Sequence, residues 1–400
     1  MHDRTATPPK GRGIGARIQE IRQIRGFSLS ELGRRAHVSP SQLSRVENGK
    51  RYASPSTVAS VARALGVGAD VLRGQPYIHM LQRDQLDALL SPISSALHSW
   101  DLPPEDEPPP RSLDVLESAM RRMVDLRVRT EFAEIAADLP GLIVESALAA
   151  EIHDRPGHDR ERAHAVQAEV ARTAAIIAYR LGFMDLSRLA LSRMAVAAPQ
   201  SGDPRQLAVE RYERAQITHA VSGRPDRGVA LMKRALRDLD DDGTLATRAV
   251  RGTLQLRASV LSAEQNEQDD WLGQAEELAD GTGETTDYAM AFGPLNVALN
   301  KMATAAARDE HEEALNIAAG VRLPEDYTPT RAAGFWVGKA KSETWAARHG
   351  DALDSLYAAR EVAPQLTRYH PGVHETVGTL LRARPRPSAR LRAFAQWSGV

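Results

Sequence analysis

Five short turns recur in the second half of the chain at nearly constant spacing, and this regularity constrains the fold more than any other feature. Each turn separates two stretches in which apolar residues follow helical periodicity. The turns are centred on Gly182, Gly223, Asn266, Asp309 and Gly350, which lie 41, 43, 43 and 41 residues apart. A helical hairpin repeated at such a period cannot bury its apolar face alone and must stack on its neighbours. The sequence therefore predicts an all-α chain that contains an α-solenoid.

The predicted hairpins resemble tetratricopeptide repeats. Gly182, Ser187 and Pro199 supply the glycine turn, the small residue five positions later and the closing proline in the fullest copy. The period is about eight residues longer than the usual 34, so the copies are divergent. The resemblance covers residues 165–365, and residues 111–160 are expected to add one or two helical pairs. The alternative interpretation is an irregular helical bundle without true repeats.

Capping signals predict five short helices near the N-terminus. Ser28, Ser39 and Ser54 each precede a helical pattern as N-cap residues, and prolines follow two of them at the first helical position. A fifth helix is expected to begin near Ala69. The turn between the second and third helices is only residues 37–39, which is typical of a helix-turn-helix. The expected core positions are Ile14, Ile18, Ile21, Ile24, Leu43, Val46, Val58, Val61, Ala62 and Leu65.

Residues 14–67 resemble the DNA-binding domain of the lambda-repressor/Cro group, also called the Xre type. The stretches GFSLSELGRRAHVSPSQLSRVENGKR and SPSTVASVARALGV carry this resemblance. It implies that the third helix enters the major groove of operator DNA. The residues expected to contact bases are Ser41, Gln42, Ser44 and Arg45. The residues expected to contact phosphates are Ser30, Asn48, Lys50 and Arg51. The alternative is a degenerate copy that serves only dimerisation or partner binding.

Charge is distributed unevenly along the chain. Residues 1–75 contain 13 Lys and Arg but five Asp and Glu, a net charge of +8, whereas the whole chain carries −1. A basic segment joined to an acidic body favours a polyanion-binding module attached to a domain with another role. The chain has no cysteine, and its N-terminus has no apolar signal region. We therefore expect a cytoplasmic protein without membrane association.

Composition also predicts the domain boundaries. Residues 76–110 combine one amphipathic helix with the Pro- and acid-rich stretch WDLPPEDEPPP, which is typical of a semi-rigid spacer. The predicted segments are a disordered tail (1–12), a DNA-binding domain (13–75), a helix with linker (76–110), a sensing and dimerising solenoid (111–385), and a C-terminal helix or tail (386–400).

Polar residues on the first helix of each hairpin are expected to line a ligand groove on the concave face of the solenoid. Counting nine residues back from each turn gives Thr173, Arg214, Arg257, Asn300 and Lys341, and Asn296 lies one helical turn before Asn300. Asparagine amides bind peptide backbones and arginines bind carboxylates, so this groove would suit a peptide or small-molecule effector. The alternative is that these residues are merely solvated.

Motifs for catalysis are not found. The sequence has no HExxH, no GxxxxGK[ST] and no GxSxG, and no cofactor or metal is expected. His153, His158 and His164, with neighbouring aspartates, are interpreted as a charged loop more readily than as a metal site.

The combined pattern predicts a transcriptional regulator that binds operator DNA as a homodimer and senses an effector through its solenoid. This layout resembles the peptide-responsive RRNPP regulators and the long Xre proteins of high-GC bacteria. The alternative function is an interaction scaffold or antitoxin-like regulator, whose solenoid binds a protein partner.

Overall fold

A computed structural model of the chain describes residues 14–51, 53–65, 72, 78–99, 108–222, 225–383 and 387–400. These residues are mainly helical and contain no β-strand, apart from one isolated bridge between Thr285 and Phe292. The helices of the N-terminal part are α1 (Ile14–Ile24), α2 (Leu29–Ala36), α3 (Pro40–Glu47), α4 (Pro55–Leu65) and α5 (Ile78–His98). The next helices are α6 (Leu113–Arg129), α7 (Phe132–Ile152), α8 (His158–Arg180), α9 (Met184–Ala197), α10 (Pro204–Ser222), α11 (Pro225–Asp238), α12 (Leu245–Leu261) and α13 (Gln265–Asp280). The last helices are α14 (Pro294–Ala307), α15 (His311–Gly320), α16 (Pro329–Trp345), α17 (His349–Val362), α18 (Pro364–Tyr369), α19 (Pro371–Ala383) and α20 (Ala389–Ser398).

The described residues divide into two compact units: the first ends at Gln85 and also takes in residues 220–222, and the second begins at Leu86 and contains the rest. Helix α5 crosses this boundary, and its second half buries Leu90, Ile93 and Leu97. The predicted tail, residues 1–12, and most of the predicted acidic spacer lie outside the described residues. The predicted domain boundaries remain predictions.

Helices α1 to α4 of the first unit surround a small apolar core. Its buried members are Ile18, Leu32, Ala36, Leu43, Val46, Ala53, Val58, Val61, Ala62, Leu65 and Leu72. The predicted core positions of α3 and α4 are thus confirmed, and Ile14 and Ile21 pack against the core while partly buried. The fifth helix expected near Ala69 falls outside the described residues.

A buried ion pair joins helix α1 to the end of helix α3. The guanidinium of Arg22 donates to both carboxylate oxygens of Glu47 at 2.7 and 2.8 Å and to the carbonyl oxygen of Phe27 at 2.9 Å. The Glu47 side chain is 3% exposed. Because one partner alone would leave a buried charge, this pair fixes the position of α3 against α1.

The second unit contains six helical hairpins in its described part. They are α6/α7, α8/α9, α10/α11, α12/α13, α14/α15 and α16/α17. Successive hairpins touch through α7 and α8, α11 and α12, α13 and α14, and α15 and α16. At these four junctions each hairpin packs against the next, as the predicted solenoid requires.

Two of the five predicted turn positions differ from the structure, and a third, Gly223, lies outside the described residues. Gly182 and Asp309 do lie in turns, with φ of 90° and 66°. Asn266 and Gly350 instead lie inside helices α13 and α17, and the turns precede them by about three residues. In the last hairpin Ala347 adopts the left-handed conformation, with φ of 59°. Both positions lie in the first turn of the second helix, directly after the true turn.

The ends of the hairpin array are in contact. The Gln365 side chain of α18 accepts a hydrogen bond from the backbone N–H of Phe132 at 2.9 Å and donates to Glu131 at 3.1 Å. Helix α16 also contacts helix α6. The first helices of the hairpins therefore enclose a common interior. None of the described helices combines the length and apolar character needed to cross a bilayer.

Candidate DNA-binding surface and arginine-lined cavity

Helix α3 is held by its own capping residue and by its apolar side. The Ser39 hydroxyl accepts the backbone N–H of Gln42 at 3.1 Å, and Pro40 occupies the first helical position. Leu43 and Val46 turn into the core. The remaining side of α3 is therefore directed outward in one fixed orientation.

The residues expected to contact bases keep access to solvent. Ser41 and Arg45 are exposed, and Gln42 and Ser44 are half-buried. Within the described residues Arg45 makes no ion pair, so its guanidinium is available to a ligand. These contacts remain predictions, and the geometry is compatible with them.

The residues expected to contact phosphates surround the two ends of the motif. Ser30 is exposed in the first turn of α2, and Asn48 and Lys50 are exposed after α3. The Asn48 amide donates to the Ser44 carbonyl oxygen at 2.7 Å. The backbone N–H groups of Lys50 and Arg51 donate to the Arg45 carbonyl oxygen at 2.7 and 3.1 Å. The loop is thus tied to α3, and its cations are held near the predicted reading helix.

A cavity of about 200 Å³ lies among the first helices of the hairpins in the second unit. Helices α6, α8, α10, α12 and α16 contribute to its wall, together with residues 289–290. Five arginines and one acid line it, and these are Arg127, Arg172, Arg180, Arg257, Arg331 and Glu213. Of the residues predicted to line a ligand groove, only Arg257 belongs to this lining.

Two of the cavity arginines are fully buried and paired with acids. Arg127 lies 2.7 Å from Glu169, and Arg172 lies 3.0 Å from Glu213 and 3.5 Å from Glu169. Burial alone would lower the pKa of Arg172, but Glu169 and Glu213 reverse this and raise it. Burial lowers the pKa of Arg127 despite its pairing with Glu169. These two arginines and two acids form one buried network that joins α6, α8 and α10.

The other three cavity arginines have no acidic partner among the described residues. Arg257 donates to the Tyr212 hydroxyl at 2.5 Å and to Gln216 at 2.8 Å, and its Nε has no partner there. Arg180 donates only to the Arg127 carbonyl oxygen, at 3.2 Å. Burial, followed by the charge of Arg127, lowers the pKa of Arg180 to about 10. Arg331 lies in the first turn of α16.

The structure brings one predicted groove residue, Arg257, to this cavity. Arg214 does not line it and pairs with Glu210 of its own helix. The Asn296 amide donates to the Ala291 carbonyl oxygen at 2.6 Å, and the Asn300 amide donates to the Asn296 carbonyl oxygen at 2.8 Å. Lys341 lies outside the cavity lining, toward the last turn of α16. Whether these residues bind a ligand stays a prediction.

Sequence reasoning missed Arg127, Arg172, Arg180 and Arg331. Arg127 lies three residues before the turn at Thr130, and Arg172 and Arg180 lie ten and two residues before Gly182. Arg331 lies at the start of a helix. No common register relates them, so counting back from turns could not collect them. Across the described residues no cluster of His, Asp or Glu is arranged to hold a metal ion.

Comparisons with known proteins bear mainly on the first unit. A family model described as a helix-turn-helix domain matches residues 14–74. The chain carries an N-terminal helix-turn-helix domain. A search of curated proteins found no match.

Among solved structures, the chain is similar to Bacillus thuringiensis PlcR in complex with the peptide PapR7 and DNA. The two are 16% identical, and the match covers 68% of this chain and 95% of that chain, with a TM-score of 0.27. A TM-score of this size is too low for residues of the two proteins to be equated.

Proposed function

We propose that this protein is a cytoplasmic transcriptional regulator that binds operator DNA through helix α3 and senses an effector through its hairpin array. The observation that carries the proposal is the outward presentation of Gln42 and Arg45 by a capped, core-anchored helix in a helix-turn-helix domain. Such a helix fits the major groove of B-DNA, which is wide enough to admit it.

The proposed contacts divide into two kinds. Gln42 binds adenine through its amide, Arg45 binds guanine or a phosphate, and Ser41 and Ser44 adapt to neighbouring bases. Ser30, Asn48, Lys50 and Arg51 bind phosphates and set the register of the helix on DNA. A single module of this size buries little DNA surface, so we expect a homodimer on a pseudo-palindromic operator.

The arginine-lined cavity supports a sensing role for the second unit. It lies where helices from five hairpins meet, so an occupant would contact all of them at once. A ligand that prefers one arrangement of these helices shifts the population toward that arrangement. Moving a regulator from mostly inactive to mostly active takes about 5.5 kcal/mol of differential affinity.

The test is genome-wide DNA immunoprecipitation of the tagged protein beside a Gln42→Ala, Arg45→Ala double variant. We expect discrete sites that share a palindrome and that disappear in the variant. An Arg63→Ala variant is the charge-matched control, because Arg63 is exposed on α4 and is not a predicted contact. Absence of sites with folded wild-type protein would reject the proposal in favour of an interaction scaffold.

A further inference from the structure

The charges around the cavity do not balance. Five guanidinium groups face two carboxylates, those of Glu213 in the lining and Glu169 behind it. Both carboxylates are already engaged by Arg127 and Arg172. Arg180, Arg257 and Arg331 thus remain as an excess of three positive charges, each half-buried. Uncompensated charge away from bulk water is costly, so the free cavity is electrostatically unfavourable.

Loss of a proton does not relieve this excess at neutral pH. Burial and the neighbouring Arg127 and Arg331 lower the pKa of Arg180 only to about 10. Arg180 therefore stays charged near pH 7, and arginine in general is not deprotonated in proteins. The charge excess is a lasting property of the site.

Further donor groups belong to the lining of the cavity. The Arg257 Nε is buried and has no hydrogen-bond partner in the described part of the chain. Thr330 and Arg331 line the cavity from the first turn of α16, where the helix dipole favours negative charge. Ile176, Ile217 and Met290 add apolar wall beside these donors.

We propose that this cavity binds a small anion with at least two negative charges, carried by carboxylate or phosphate groups, through Arg180, Arg257 and Arg331. The proposal deepens the proposed function, because it rests on the hairpin array being the effector-binding unit. A planar guanidinium binds either type of anion through paired hydrogen bonds. The cavity volume of about 200 Å³ is below that of a typical drug-sized pocket, so it fits a compact metabolite or the charged end of a short peptide.

The test is isothermal titration calorimetry of the purified protein, without DNA, at constant ionic strength. The probes are inorganic phosphate, citrate, and the dipeptide Leu-Asp with either a free or an amidated C-terminus. The relative affinities of these probes show whether the cavity prefers a phosphate, a polycarboxylate or the charged end of a peptide. We expect saturable binding of at least one fully charged probe and much weaker binding of the amidated dipeptide than of the free one.

Two substitutions separate ligand binding from a structural role. Arg331→Gln removes a cation that has no acidic partner, so we expect binding to weaken about tenfold or more, the effect of one charge-assisted hydrogen bond. The melting temperature of the ligand-free variant should stay equal to the wild-type value or rise, because repulsion is relieved. Arg188→Gln is the control, since Arg188 is largely exposed on α9 and outside the cavity. It should leave binding unchanged.

Three results would overturn the proposal. These are no saturable binding of any probe, equal weakening by Arg331→Gln and Arg188→Gln, and a lower melting temperature of ligand-free Arg331→Gln with unchanged binding. Failure of the DNA-binding proposal gives a different result. Genomic binding sites would be absent, while the protein would still bind an anion saturably. Saturable anion binding that leaves operator affinity unchanged would keep this site and reject its coupling to DNA.

Discussion

Gly15 lies where helix α1 meets the end of helix α3, and the two backbones approach so closely that no side chain fits between them. A β-carbon built on Gly15 would overlap the carbonyl group of Val46. Since backbone atoms cannot rotate away, we expect Gly15→Ala to destabilise the first unit by about 1–3 kcal/mol or more, as overpacking does. Thermal unfolding followed by circular dichroism would measure this.

The matched control for Gly15→Ala is Gly273→Ala in helix α13. A β-carbon on Gly273 meets no atom within 4 Å, so alanine there should stabilise by about 0.5–1 kcal/mol through helix propensity alone. Equal effects of the two substitutions would show that α1 and α3 are not packed as described.

His370 makes the second unit sensitive to acid. Burial, with His374 and Arg180 nearby, lowers its pKa from 6.5 to about 4. Between about pH 4 and 6.5 the His370 imidazole is therefore neutral in the native state and protonated in the unfolded state. The stabilising contribution is complete above about pH 6.5 and is lost as the pH falls toward 4, by roughly 3 kcal/mol at most. Urea unfolding at pH 7 and pH 4.5 would measure the loss.

A His370→Asn variant should lose part of this pH dependence, because asparagine can still accept the Gly372 backbone N–H that His370 accepts at 3.0 Å. His158→Asn, at an exposed position in α8, should behave as the wild type does. The interpretation fails if all three proteins lose the same stability between the two pH values.

At the scale of elements, the loop after helix α3 and the helix itself should affect DNA binding differently. Lys50 is exposed, and its backbone is tied to the end of α3. If it neutralises one phosphate, Lys50→Gln should weaken binding to every sequence and reduce the slope of log K against log salt by about one. Titration of operator and random DNA at several salt concentrations would show this.

Gln42→Ala provides the contrast for Lys50→Gln. It should leave the salt slope unchanged and weaken the preference for one base at one operator position. The binding free energy should fall by about 1–3 kcal/mol on operator DNA and stay the same on random DNA. If Gln42→Ala instead changes the salt slope and Lys50→Gln changes base preference, the assignment of the two residues is wrong.

Local signals predicted the elements well, because caps, turns and apolar stripes act within a few residues. The Ser28 and Ser39 caps are present as expected, and so is the three-residue turn between α2 and α3. The helical fold and the hairpin pattern were also predicted. The exact turns near Asn266 and Gly350 were not, since an Asn or Gly that is typical of a turn lies here in the first turn of the following helix. An error of about three residues rotates a counted position by about 60° around the helix and moves it almost one turn along the axis.

The cavity could not be predicted in the same way. Arg127 and Arg331 meet there although about 200 residues separate them, and Arg180 is near them only because the first helices share an interior. Such proximity depends on how five hairpins are placed together. The Arg22–Glu47 pair was missed for the same reason, as its partners lie on different helices.

At the scale of the second unit, contact between the ends of the array should show in hydrogen exchange. The Gln365 side chain accepts a hydrogen bond from the Phe132 backbone N–H and donates one to Glu131. We expect Gln365→Ala to speed exchange at Phe132 and to cost about 1 kcal/mol, the typical net value of such a hydrogen bond. Gln396→Ala is the control, because Gln396 is exposed on α20. Unchanged exchange at Phe132 would show that the ends do not close in solution.

An open array of hairpins tolerates duplication or deletion of a unit, because each unit touches only its neighbours. The arginine-lined cavity removes that freedom here. Arg331 comes from the sixth described hairpin and Arg127 from the first, and one added unit of about forty residues between them would carry them apart. The number of hairpins between these two residues is therefore fixed by the cavity. A hairpin added outside that span would leave the cavity intact, whereas one added inside it would separate the two arginines.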